Sequence, residues 1–77
     1  MKVKVLLFGV FSEKIESSSL YFEDITSTND LLSKMQGLYP TLKEMRCTIA
    51  VNQHIIKENT KLKDGDVVAL MPPFAGG

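Results

Sequence analysis

The sequence predicts an α+β domain in which a mixed β-sheet carries one main helix on one face. Two observations lead to that reading. Apolar, β-branched runs lie near both chain ends, at residues 2–11 and 67–71, as strands do. Between them, Leu31, Leu32, Met35 and Leu38 fall at helical spacing and form one apolar face. A single amphipathic helix must bury that face against one side of a sheet.

The elements follow in order. Val3, Val5 and Leu7 alternate with Lys2 and Lys4, and the contrast then fades at Leu6, Phe8 and Val10. The first strand is therefore expected over 2–11, with its second half covered on both faces. Gly9 inside it marks a bulge or a close backbone approach. Residues 12–19 are polar and read as a loop or tight turn, and Leu20-Tyr21-Phe22-Glu23 reads as a second strand completing an antiparallel hairpin. Ser27, with Asp30 three residues later, is a capping-box-like helix start, and Asp30 suits the positive end of the helix dipole. Gly37 weakens the last helical turn, Tyr39-Pro40 ends it, and residues 41–45 have room for one further turn. Residues 48–52 form a third strand, Asn52-Gln53-His54 a turn, and Ile55-Ile56 a short fourth strand. Asp64-Gly65 suits a tight turn with positive φ, and residues 67–71 form the last strand, stopped by Pro72. The two terminal strands are the most apolar, so both are expected at the centre of the sheet. Side by side they would be parallel, with the helix in their connection, which is the β-grasp arrangement.

Length and charge narrow the function. The chain has 77 residues, 44% of them hydrophobic, with nine basic and nine acidic side chains. That is one small domain with one core. The balanced charge gives no basic stripe for nucleic acid and no polybasic segment for a membrane surface. The basic, apolar start reads as a strand and not a leader, because it runs into Ser12-Glu13-Lys14 without a small-residue cleavage site. A single cysteine, Cys47, excludes an internal disulfide and fits a reduced, cytoplasmic setting.

The chemistry concentrates at the end. The domain is expected over 1–71 and a reactive tail over 72–77, reading Pro72-Pro73-Phe74-Ala75-Gly76-Gly77. Two final glycines pack nothing and cost entropy if ordered. They present a bare carboxylate on a stalk without side chains, able to enter a tunnel too narrow for a Cβ. Pro72 and Pro73 fix φ and stiffen its base. Six extended residues reach about 20 Å, enough to place the Gly77 carboxyl in another protein's active site.

Residues 62–70, Leu-Lys-Asp-Gly-Asp-Val-Val-Ala-Leu, followed by this tail, resemble the small subunits of molybdopterin synthase, a family of ubiquitin-like sulfur carriers. Val51-Asn52 before a turn and the opening strand from Val3 to Phe11 are similar to it as well. Where the family often carries an arginine after its first strand, this chain has Phe11-Ser12-Glu13-Lys14.

The resemblance implies a ubiquitin-like β-grasp fold and a set of roles. An E1-like adenylyltransferase would use ATP to adenylate Gly77, and a sulfur donor protein would displace AMP to leave a thiocarboxylate. The large catalytic subunit of a heterotetrameric synthase would then receive the tail, and sulfur would pass to cyclic pyranopterin monophosphate to build the molybdopterin dithiolene. Gly76 would pass the narrowest part of the partner's tunnel, with Ala75 behind it, and Phe74 would be an anchor. The chain itself would bind no cofactor and no metal. It would be the sulfur-donating subunit of a sulfurtransferase and not a catalyst on its own.

Other readings stand beside this one. The same Gly77 could serve a ubiquitin-like protein modifier, a sulfur carrier for thiazole or another metabolite, or a plain binding module with an incidental tail. Cys47 reads as a small unreactive residue at a strand edge and His54 as a surface histidine. Asp64 and Asp66 are explained by turn chemistry. Phe8, Phe11, Met45, Leu70 and Met71 divide between the core and an exposed docking patch in a way the sequence leaves open.

Overall fold

The computed structural model describes residues 2–73. The chain runs β1 (Lys2–Leu7), α1 (Val10–Ile15), β2 (Ser19–Glu23), α2 (Thr28–Leu38), a 3-10 turn (Pro40–Glu44), β3 (Thr48–Val51), β4 (His54–Ile56) and β5 (Val67–Met71). The sheet order is β2-β1-β5-β3-β4. β1 and β5 are parallel neighbours at the centre, in register from Lys4↔Val67 to Leu7↔Leu70. β2 pairs antiparallel with β1, and β3 pairs antiparallel with both β5 and β4. This is the mixed β-grasp sheet the sequence predicts.

Period-two alternation sorts the central strands. Val3, Val5, Leu7, Val68 and Leu70 are buried on the helix side. Leu31 and Met35, one helical turn apart, carry α2 onto them, and Ile25, Leu42 and Leu62 close the margins. The helix starts as its sequence signal requires. Ser27 Oγ accepts from the Asp30 N–H at 3.2 Å, and Asp30 Oδ2 accepts from the Thr26 N–H at 3.2 Å. Reciprocal satisfaction of this kind is worth about 1 kcal/mol at a helix N-terminus.

Three expectations are corrected. β1 ends at Leu7, and the segment read as strand and then loop contains the short helix α1. Gly9, at φ 57° and ψ −131°, turns the chain out of the sheet. Its carbonyl accepts from the Ser12 and Glu13 N–H groups at 3.1 and 3.4 Å, and Phe11 and Ile15, four apart, sink into the core. The second half of the predicted first strand is accordingly not covered on both faces, since Phe8 and Val10 are exposed. Leu38 does not join the apolar face of α2. It is exposed at the last helical residue, and Leu42 of the following turn enters the core instead. His54 belongs to β4 and not to the turn. Asn52 and Gln53, at φ 49° and 72°, make a two-residue hairpin loop of the kind that matches strand twist.

Candidate functional site

The end of the domain to which the sequence assigns its chemistry is where β5 stops. Because β5 lies between β1 and β3, whatever follows Met71 leaves from the middle of the sheet. β1 is parallel to β5, so its end lies alongside: the Phe8 N–H donates to the Leu70 carbonyl at 3.1 Å, and the chain then turns away at Gly9. The vacated space is taken by Pro72. A Cβ on Gly9 would lie 2.9 Å from Pro72 Cγ and 3.4 Å from Cδ. Of the bulge or close backbone approach expected at Gly9, the structure shows a close approach, made by the ring of Pro72. Pro72 is half-buried and Pro73 exposed. Phe74, Ala75, Gly76 and Gly77, to which the sequence assigns the anchor and the reacting end, lie outside the described residues.

A groove of about 620 Å³ on the open face of the sheet adjoins this exit. It follows from the alternation of the same strands. With Val68 and Leu70 turned inward, Val67, Ala69 and Met71 face out, as does Leu6 of β1. Ala69 pairs with Ala50 of β3, and these two small side chains make a shallow floor. Phe8, Met71 and Ile55 rise around it. Phe8 is 47% exposed and Ile55 59%, so the groove is apolar and open to a partner. The groove gives way to charge at the β2 side, where Lys2 and Lys4 place their Nζ atoms 4.7 and 5.8 Å from the centre of the Tyr21 ring.

The five residues whose fate the sequence leaves open now separate. Phe11 and Leu70 are core. Met45 is half-buried against the core. Phe8 and Met71 line the groove beside the tail.

The acidic pair lies at the far end of β5, about 20 Å from the tail base at strand rise. Asp66 accepts from the Lys63 N–H at 2.7 Å and from Asn52 Nδ2 at 2.9 Å, while Asn52 Oδ1 accepts from the Val67 N–H at 3.0 Å. The Asn52 amide first, and the Lys63 N–H second, hold the Asp66 carboxyl below its ordinary value. Asp64 Oδ1 accepts from the Lys2 N–H at 2.7 Å, and the Gly65 N–H, at φ 86°, donates to the Lys2 carbonyl at 2.8 Å. Both carboxylates are thus occupied in fastening the turn to β1 and β3.

Cys47 comes just before the Thr48↔Met71 pair, so register brings its backbone near the tail base. Its side chain nonetheless packs against the core, and burial pushes the thiol up, which disfavours the nucleophilic thiolate. His54 is exposed on β4. Among the described residues, no group of three or more His, Cys, Asp and Glu side chains could hold a metal ion, and no helix is long and apolar enough to cross a membrane. Sequence reasoning missed the seat that Gly9 provides for Pro72. The one signal for it was a glycine breaking an apolar run.

Known proteins are similar to this chain along its whole length. The molybdopterin synthase sulfur carrier subunit of Chlamydomonas reinhardtii is 37% identical, with both chains covered in full. In the solved complex of subunits 1 and 2 of the molybdopterin-converting factor from Helicobacter pylori, the matching chain is 36% identical, with both chains fully covered and a TM-score of 0.72. The small archaeal modifier protein 1 of Methanosarcina acetivorans is 26% identical over 99% of this chain and 96% of that one, with a TM-score of 0.80. With residues 5–77 matching its pattern, the chain belongs to the ThiS family.

Proposed function

We propose that this protein is the sulfur-carrier small subunit of a molybdopterin synthase and that its reacting group is the Gly77 carboxylate. The observation that carries the reading is the 37% identity, without loss at either end, to a molybdopterin synthase sulfur carrier subunit. The chemistry follows from the group itself. A carboxylate resists nucleophiles because it is negative and oxide leaves badly. An E1-like partner using ATP converts it to an acyl adenylate, from which AMP leaves readily. Sulfur from a donor protein takes its place and gives a thiocarboxylate, a soft nucleophile held covalently until delivery. Attack on cyclic pyranopterin monophosphate then transfers one sulfur per tail, so two loaded copies are needed for one dithiolene.

In this reading the large synthase subunit docks on the open face and draws the tail into its own site. The complex formed by the Helicobacter pylori relative supports such a partner. The groove of Leu6, Phe8, Ala69 and Met71 beside the tail supports the face. Pro72 and Pro73 reduce the entropy lost when the tail is ordered. Phe74 is the anchor, and Ala75 and Gly76 are the slender stalk. ATP serves the activating partner and no cofactor is held by this chain.

Intact mass spectrometry tests the reading. Incubation with the E1-like enzyme, ATP and a sulfur source should add the mass of sulfur replacing one oxygen. Deleting Gly77 should abolish that gain and all synthase activity while the melting curve is unchanged. Retained activity in the truncated protein would refute the assignment. The likeness to a small archaeal modifier protein favours one second reading, conjugation of Gly77 to lysine. Adducts that survive thiol reduction would establish it.

A further inference from the structure

We propose that Gly9 is a positioning residue for the reactive tail, the seat on which Pro72 rests and from which the following residues are aimed. The inference rests on the reading of Gly77 as the reacting group, although the seat itself is a property of the free domain.

Three observations combine. First, the clearance is specific to glycine: a Cβ at residue 9 would fall 2.9 Å from Pro72 Cγ. The struck atom belongs to a pyrrolidine ring closed on the main chain, so relief displaces the backbone at 72 and not the loose end of a side chain. Second, residue 9 is held from both sides. Phe8 is tied to Leu70 by its N–H at 3.1 Å, and the Gly9 carbonyl accepts from the Ser12 hydroxyl at 2.8 Å, within a helix anchored by the buried Phe11. Third, φ 57° with ψ −131° is a conformation that L side chains rarely adopt. The tail therefore starts from a rigid corner between the ends of two central strands.

The consequence falls on the root of the tail. Relief of the contact would shift the Pro72 backbone, and with it the point and direction from which the remaining residues leave the sheet. A misplacement of even about 1 Å at a reacting atom can cost on the order of a hundredfold in rate.

Gly9→Ala, Pro72→Ala and the double variant test this, with full-length protein. Wild type must first load with sulfur, which decides the functional reading independently. The rate of sulfur transfer to the large subunit's substrate is then measured against concentration, beside thermal melting. Gly9→Ala should lower kcat/KM about tenfold or more. Adding Pro72→Ala should restore kcat/KM to the level of Pro72→Ala alone, while the melting temperature stays depressed by the strained residue 9. A purely structural role would make activity follow melting in every variant, and that result would overturn the proposal, as would wild-type kinetics in Gly9→Ala. Should Gly9→Ala fail to fold, Pro72→Ala, which adds no atom, must by itself lower kcat/KM several-fold. A function-independent arm uses the free protein. Nuclear Overhauser contacts between the Gly9 α-protons and the Pro72 ring are expected, and their absence overturns the seat whether or not the protein carries sulfur.

Discussion

Two phenylalanines three residues apart should respond oppositely to truncation. Phe8 is 47% exposed at the rim of the open-face groove, whereas Phe11 is 2% exposed on the core side of α1. For a ring residue of about 200 Å², the accessible part of Phe8 is about 95 Å². Covering it in a partner's interface at about 25 cal/mol per Å² contributes at most about 2.4 kcal/mol, or roughly fiftyfold in Kd. Its buried half stabilises the free domain by about 1–2 kcal/mol once compaction of the unfolded chain is allowed for. Phe11→Ala instead leaves a cavity in the core and should cost about 3–5 kcal/mol. That is a large share of the roughly 4–12 kcal/mol available to a chain of this length. The assay is calorimetric titration with the large synthase subunit, run beside thermal melting. Phe8→Ala should weaken binding by between ten- and fiftyfold with a modest loss of melting temperature. Phe11→Ala should lower the melting temperature by at least about 12 °C, yet bind normally at temperatures where it remains folded. If Phe8→Ala binds as tightly as wild type while folded, the groove is not the docking face.

The far turn and the β3–β4 hairpin give two further predictions. Asp66 is held below its ordinary carboxylate value by Asn52 and Lys63, so the unfolded chain takes up its proton first as pH falls. Its stabilisation is present above that ordinary value and is lost as pH drops through the lowered folded value. Wild type should therefore lose melting temperature below about pH 4. Asp66→Asn, whose single side-chain oxygen cannot accept from both the Lys63 N–H and Asn52 Nδ2, should be less stable at neutral pH and show a flatter acid profile; equal slopes would refute the assignment. Gln53 sits at φ 72°, where a side chain costs about 1–2 kcal/mol. Gln53→Gly relieves that cost against an entropic penalty of roughly 0.5–1 kcal/mol. A net gain of about 0.5–1 kcal/mol should appear in urea melts, and a loss would show that the side chain contributes contacts.

How much of this was legible depended on how local each signal is. The start of α2 could be read from Ser27 and Asp30, because a cap is satisfied within four residues. The parallel pairing of β1 with β5 followed from composition, since the two most apolar strands have to take the middle of the sheet. α1 was hidden because six residues hold only one i, i+4 apolar pair, Phe11 and Ile15, too little to set a period. The expectation that the second half of the first strand is covered on both faces failed for a related reason. Unbroken apolarity at Leu6 and Phe8 looks the same whether the second face is covered by the protein or kept for a partner. Leu38 continued the helical spacing, but the chain turns at Tyr39 before anything can cover it. The seat of Pro72 on Gly9 joins positions 63 residues apart and leaves no periodic trace.

The two ends of β5 divide the work. At one end Asp64, Asp66 and Asn52 fasten the strand to β1 and to the end of β3 with three hydrogen bonds from or to their side chains at 2.7–3.0 Å, and a fourth, from the Lys63 N–H to Asp66, closes the turn. At the other end the strand releases the tail beside an apolar groove. A strand pinned at its origin and flanked on both sides cannot slide, so the position of Pro72 is set by the whole sheet and not by a loop. That matters for the proposed reading, in which the reacting group is the Gly77 carboxylate. In the proposed reading the domain contributes placement and partner choice. Relatives with different fates share this fold, and fold alone therefore decides neither. What distinguishes them has to be read by the partner, and in the proposed reading the surface a partner meets as it takes the tail is the open face. Small side chains at 50 and 69, bulky ones at 8, 55 and 71, and the Lys2–Tyr21–Lys4 cluster beyond give that face a shape and a charge boundary. An identical tail on a face altered at those positions should be activated by, or delivered to, a different partner.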